Sequence, residues 1–150
     1  MPINQRTKGK TGELEVAHMF TAQGFRARRG VSQSQDATLF PDVMLDDLPQ
    51  YWVEVKRGAE TRPLKALEQA MDACGKRTPI AVCRNDRAKA TVTMRMSDWM
   101  TICYDPNYPQ CYSQTPFAEM VTVLMPWETF IRAFLNKHSK DVKQLPLIKG

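Results

Sequence analysis

Between Tyr51 and Arg84 the sequence reads strand, helix, strand, and that order leaves few ways to fold the chain. Tyr51 to Val55, YWVEV, is aromatic and β-branched, the composition that suits a pleated surface. Pro63 fits the first turn of a helix. Leu64, Leu67, Met71 and Cys74 then recur at i, i+3, i+7 and i+10, an amphipathic stripe that stops before Gly75. Pro79 to Arg84, PIAVCR, reads as a buried strand. Strands joined across a helix lie parallel in one sheet, so the rest of the chain must be built around that pair.

Upstream, Leu39 to Leu45, LFPDVML, is a short strand, and Asp46-Asp47 starts a turn that includes Pro49. With Tyr51–Val55 it makes a β-hairpin. By the period of two, Tyr51, Val53 and Val55 share one face, and Trp52, Glu54 and Lys56 share the other. Phe25 to Val31, FRARRGV, is a further strand, with Phe25, Ala27 and Arg29 on one side and Arg26 and Arg28 on the other. Residues 11–23 form a helix with Leu14, Ala17 and Thr21 on one face and Val16 and Phe20 beside them. Glu13 and Glu15 fall in its first turn, favourable for the helix dipole, and Gly24 is its stop. His18 reads as a partly buried polar residue. Residues 1–10, with Arg6, Lys8 and Lys10, are expected to be a mobile basic arm. The polar stretch 32–38 is a loop that orders on binding.

Downstream, Arg57 to Arg62 is a polar loop and Asn85 to Ala90 a charged turn. Thr91 to Met96 alternates as a half-exposed strand, and Ser97 caps a short helix, SDWMTIC. Residues 104–116 hold three prolines and three tyrosines and form an irregular loop. Glu119 to Met125 is a further strand. Glu128 to Lys137 is a helix with Phe130, Ile131, Phe134 and Leu135 on one face, and the tail from Ser139 is loose. Trp99 and Trp127 are packing residues. The order α-β-β-β-α-β, followed by β and α, gives an α/β fold with a central mixed sheet flanked by helices. At 150 residues the chain is expected to be one domain. Its core spans about 8–96, with a C-terminal β/α extension over about 97–150.

The apolar fraction is 43% and the charged fraction 25%, ordinary for a globular protein. A net charge of +5 suits a partner rich in phosphate. Cys74, Cys83, Cys103 and Cys111 make no CxxC pair, and with only His18 and His138 beside them they do not read as a zinc site. They are expected to be free thiols in a reducing cytoplasm. No apolar run approaches the length that spans a bilayer.

The hairpin carries the chemistry. Cleaving a phosphodiester needs an activated water and relief of charge on the phosphate, and Mg²⁺ supplies both. Mg²⁺ takes oxygen ligands, commonly one or two carboxylates. Asp42 and Glu54, from adjacent strands, can provide them, with the Val55 carbonyl as a third oxygen. Lys56, on the same face as Glu54, can orient the water or stabilise the phosphorane. Glu13 of the first helix can complete the site. The arginines at 26, 28 and 29, with Lys8, Lys10 and Arg57, are candidate DNA contacts.

These residues resemble the PD-(D/E)xK nuclease superfamily, and within it the archaeal-type Holliday junction resolvases. Lys8-Gly9 with Glu13 is similar to that family's KGxxxE opening, and Gly24-Phe25 with Arg29 to its GF-x-x-x-R segment. Pro41-Asp42 and Glu54-Val55-Lys56 are similar to its catalytic core, so the resemblance spans roughly residues 8 to 84. It implies a restriction-endonuclease-like core and catalytic roles for Glu13, Asp42, Glu54 and Lys56. It also implies a DNA contact by Arg29, a serine loop contact by Ser32 or Ser34, and an accessory role for Gln69. The first helix departs from the family's Glu-Arg-Glu, since Leu14 stands between Glu13 and Glu15.

The leading expectation is therefore a Mg²⁺-dependent endonuclease, with Mn²⁺ as substitute, that cuts four-way DNA junctions as a homodimer. A two-fold dimer presents two active sites to a two-fold-symmetric substrate. Small size and a divergent C-terminal part fit a phage or prophage origin. The alternatives are a restriction-like, flap-trimming or exonuclease activity on the same scaffold, a DNA-binding module with a vestigial site, or a protein-interaction domain.

Overall fold

The computed structural model describes residues 5–30, 40–104 and 121–140. Ser32, Ser34, the polar loop at 32–38, Cys111 and most of the expected loop over 104–116 lie outside the described residues. The elements run α1 (Gln5–Thr21), β1 (Ala27–Arg29), β2 (Val43–Leu45), β3 (Tyr51–Gly58), α2 (Pro63–Ala73), β4 (Thr78–Asn85), β5 (Thr91–Arg95), α3 (Met96–Cys103), β6 (Thr122–Pro126) and α4 (Trp127–His138). The fold is α/β: one six-stranded mixed sheet, in the order β1-β2-β3-β4-β5-β6, flanked by helices. The expected α-β-β-β-α-β order is α1 through β4. β3 and β4 are parallel, with Glu54 opposite Ala81 and Lys56 opposite Cys83. Every other neighbouring pair is antiparallel.

The pleat sorts the core onto two faces. Tyr51, Val53 and Val55 of β3 pack with Val16, Ala17 and Phe20 of α1 and with Phe130 and Phe134 of α4. Trp52 turns the other way, against Ala70 and Cys74 at the α2 end. Ala66 and Leu67 of α2 cover Ala81 and Cys83 of β4. Phe20 is the hub of the first face, with ring centroids 5.0 Å from Trp127 and 5.9 Å from Phe134, both edge-on, the geometry that ring quadrupoles favour. The extension after β5 is thus built into the same core as α1. Gly24 and Gly75 do sit in the left-handed region, at φ 96° and 59°, where the helices α1 and α2 stop.

Several expectations are corrected. Gln5 to Lys10 is helix, not a mobile arm, so α1 begins two turns earlier than its apolar residues suggest. Glu13 and Glu15 therefore lie well inside the helix, beyond the reach of its N-terminal dipole. Leu14 is exposed, and Val16, Ala17 and Phe20 form the buried face. His18 is exposed. Arg57 lies on β3, which runs on to Gly58. Leu64 is 60% exposed, and Met71 is also outside the core. Close helix–sheet packing instead buries the small face of α2, Ala66 and Ala70 with Leu67. β5 is buried at Val92, Thr93 and Met94, because it is an inner strand between β4 and β6. Ser97 lies inside the first turn of α3, whose N-cap is Arg95, with its guanidinium 2.7 Å from Asp98.

His138 carries a feature the sequence did not signal. It is buried at the end of α4, with its Nε2 2.7 Å from the Tyr51 hydroxyl. This ties the last helix to the start of β3, the strand that carries Glu54 and Lys56.

Candidate active site

The site starts where β2 and β3 part. Their ladder register is fixed by Val43 opposite Val53. The Asp42 N–H donates to the Val53 carbonyl at 3.0 Å. One step further along β3, the Val55 N–H donates to the side chain of Asp42, Oδ2, at 2.9 Å. The carboxylate of Asp42 thus sits in the fork between the strands. On its other side the Asp42 carbonyl accepts from the Gly30 N–H at 3.0 Å. Here β1 crosses very close: a Cβ on Gly30 would stand 1.8 Å from the Pro41 oxygen. Only glycine fits that crossing, and it fixes the backbone of Pro41-Asp42.

Glu54 lies beside Asp42 and is only 5% exposed. The Lys56 Nζ stands 3.4 Å from its Oε1. Burial first, and then the charge of Glu54, push Asp42 from an ordinary 3.8 up to about 6, against the lowering effects of the Val55 N–H and of Lys56. Two crowded carboxylates with one ammonium beside Glu54 hold excess negative charge, which a divalent cation would relieve. The Val55 carbonyl points to the same side of β3 as its N–H, toward the fork. Asp42, Glu54 and the Val55 carbonyl are hard oxygen donors of the kind Mg²⁺ accepts.

Glu13 arrives from α1, which meets β3 through Gly12; a Cβ there would lie 3.0 Å from the Arg57 Cβ and 3.6 Å from the Val55 Cγ1. Its Oε2 accepts from the Arg29 Nε at 2.7 Å. Burial raises the Glu13 pKa most, Arg29 opposes it, and Asp42 adds to the rise. Among the described residues no three His, Cys, Asp or Glu side chains close on a single point. Glu13, Asp42, Glu54 and Lys56 nonetheless line one cleft of about 840 Å³. Its opposite wall is α2, with Lys65, Glu68, Gln69 and Asp72. The sequence-predicted catalytic set, Gln69 included, therefore lies around one cavity.

The predicted DNA contacts are arranged differently. Arg29 pairs with Glu13, Arg28 with Asp46 at 3.0 Å and Arg26 with Asp47 at 3.8 Å. Arg57 stands 3.2 Å from Glu15, which also holds Arg84. Lys8 is 2.7 Å from Asp86. Lys10 is exposed and makes no ion pair among the described residues. The arginine-rich segment is thus largely neutralised in place. Sequence reasoning missed Glu15 as an anchor for two arginines because it was assigned to the dipole. It missed Gly30 because a glycine ending a basic run has no mark of its own; only the tertiary crossing reveals it.

No protein-family model and no curated protein sequence matches the chain. Among solved structures it is similar to Hjc, a Holliday junction resolvase from the archaeal hyperthermophile Archaeoglobus fulgidus. The likeness has 19% sequence identity and a TM-score of 0.42, over 55% of this chain and 73% of that one.

Proposed function

We propose that this chain is a divalent-metal-dependent DNA endonuclease of the PD-(D/E)xK type, acting on branched DNA, with the four-way junction as its preferred substrate. The observation that carries the reading is the fork of β2 and β3. It ties the Asp42 carboxylate to the Val55 N–H, keeps the Lys56 ammonium beside Glu54, and leaves all four residues lining one cleft. Asp42 and Glu54 would hold Mg²⁺, or Mn²⁺ in its place, with the Val55 carbonyl. The bound ion supplies Lewis-acid charge stabilisation and a lower pKa for its water.

The remaining roles belong to the chain. Lys56 brings a cation to the charge that develops on the scissile phosphate, in a partly buried setting where it is worth more than in water. Glu54 holds that ammonium in place. Arg29 keeps Glu13 oriented at the rim, and Gln69 offers an amide from the α2 wall. The second active site needed for paired cuts in a two-fold junction comes from a homodimer.

Cleavage of a four-way junction, a flap, a Y-fork and a plain duplex, with Mg²⁺ at one salt concentration, tests the reading. Symmetric paired nicks confined to the junction support resolution. Equal cutting of all four removes the junction preference and keeps the nuclease. EDTA is expected to abolish cutting while leaving DNA binding. Lys56→Ala is expected to lower kcat about 10²–10³-fold with DNA affinity nearly unchanged. A Lys56→Ala variant that cuts at the parent rate with Mg²⁺ present shows the assignment to be wrong.

A further inference from the structure

We infer that the turn joining β4 to β5, residues 85–90, is a duplex-gripping flank of the cleft, with Arg87 and Lys89 binding the phosphate backbone of DNA. The nuclease reading enters only in the choice of DNA as the partner.

The turn adjoins the cleft. Its Asp86 N–H donates to the Gly58 carbonyl at 2.8 Å, and its Asp86 carboxylate takes Lys8 at 2.7 Å. Arg57 and Gly9, the chain neighbours of those two anchors, line the cleft itself. The turn is also held rigidly. The Asn85 Oδ1 accepts from the Thr61 N–H at 2.8 Å and from the Thr61 hydroxyl at 2.5 Å. The Arg84 Nε donates to the Ala88 carbonyl at 2.9 Å, while its terminal nitrogen is braced by Glu15. A cation on a fixed turn loses less freedom on binding than one on a loose arm.

Charge separates this flank from the others. The arginines at 26, 28 and 29 each face a carboxylate. On the α2 wall, Lys65 is outweighed by Glu68 and Asp72, which repel a phosphate backbone. Arg87, Lys89 and Lys10 of α1 are exposed and make no ion pair among the described residues. Arg84 and Lys8 are committed to holding the turn, and the Asp86 carboxylate is taken up by Lys8 at 2.7 Å, so the turn's excess charge facing a partner is positive, carried by Arg87 and Lys89.

Arg87 has φ 63°, the left-handed region where glycine or asparagine is the usual choice. An arginine there costs stability and puts a long cation at the tip of the turn. Duplex DNA offers a negative charge about every 1.7 Å along its axis, a match for a short row of fixed cations.

The test is the double variant Arg87→Gly, Lys89→Ala, made in the full chain. Glycine suits the φ of 63°, so thermal stability is expected to stay level or rise. Binding of a labelled DNA duplex is read by anisotropy in EDTA across a salt series. Removing two phosphate contacts is expected to reduce the slope of log K against log salt by about 1.8. In Mg²⁺ the loss is expected to fall on KM rather than kcat. Equal slopes for parent and variant overturn the inference, whether or not the protein cuts. A reduced slope in a protein that cuts nothing supports the flank and sinks the nuclease reading. Binding of duplex RNA with no affinity for duplex DNA overturns the assignment of the partner.

Discussion

Asp42→Asn is expected to abolish cleavage and, in EDTA above pH 6, to make the protein more stable than its parent. Asp42 is raised from 3.8 to about 6 by burial and by Glu54. Between those values the folded state binds more protons than the unfolded one, so the parent loses stability as pH rises. The loss amounts to up to about 3 kcal/mol, since each unit is about 1.4 kcal/mol. It is complete above pH 6 and absent below about pH 4. Asparagine carries no charge to desolvate. Its Oδ1 still accepts the Val55 N–H that Asp42 accepts at 2.9 Å, and its amide can donate to Glu54. Denaturant melts in EDTA at pH 4 and pH 7.5 give the comparison. The variant gains at pH 7.5 and not at pH 4. A variant less stable than the parent at pH 7.5 refutes the account of Asp42 as a strained anion.

On the proposed metal-dependent reading, Mg²⁺ is expected to reverse the order. The parent is expected to gain stability with each increment of metal, by mass action, and the variant, lacking one carboxylate, is not. Protons and Mg²⁺ would compete for the same carboxylate, so at subsaturating metal cleavage by the parent is expected to fall as pH drops toward about 6, and raising the metal concentration is expected to move that fall to lower pH. Stability lost without metal and regained with it is the signature of a site built for a cation.

The strand-helix-strand unit was legible because its signals are local. YWVEV and PIAVCR carry β-branched and apolar residues in the required order, and their parallel pairing follows from the helix between them. The face shared by Glu54 and Lys56 followed from the pleat alone, and the hairpin brought Asp42 beside them. What was not legible depends on contacts distant in sequence. The start of α1 at Gln5 has no apolar periodicity, because that part of the helix lies against little core. Once the helix is extended, Glu13 and Glu15 lose their dipole explanation, and Arg29, Arg57 and Arg84 supply the real ones. Arg26 and Arg28 read as phosphate contacts because their partners, Asp47 and Asp46, belong to the turn after the next strand. Charge counted along a chain cannot distinguish a paired cation from a free one. The cations at 87 and 89, which make no ion pair among the described residues, were in plain sight in a turn that composition alone marks only as charged.

Gly30→Ala is expected to remove most of the cleavage activity from a protein that still folds. Its Cβ would lie 1.8 Å from the Pro41 oxygen and 3.0 Å from the Pro41 carbonyl carbon. Both are backbone atoms with no rotamer to change, so β1 and the Pro41-Asp42 segment must move apart. The Gly30 N–H to Asp42 carbonyl bond, 3.0 Å, lengthens or breaks. Overpacking of this kind costs about 1–3 kcal/mol, and the lost backbone bond about 1 kcal/mol more. Chemistry suffers more than stability, because Asp42 is clamped between Gly30 and Val53, and a shift of about 1 Å in a reacting group can cost 10²-fold in rate. Gly58→Ala is the control: nothing lies within 4 Å of a Cβ there, so it is expected to melt and cut like the parent. A circular-dichroism melt run beside the cleavage assay separates the two effects. Should Gly30→Ala cut at the parent rate while losing stability, the crossing of β1 over Pro41 is structural only, and Asp42 does not need its backbone fixed to serve the reaction.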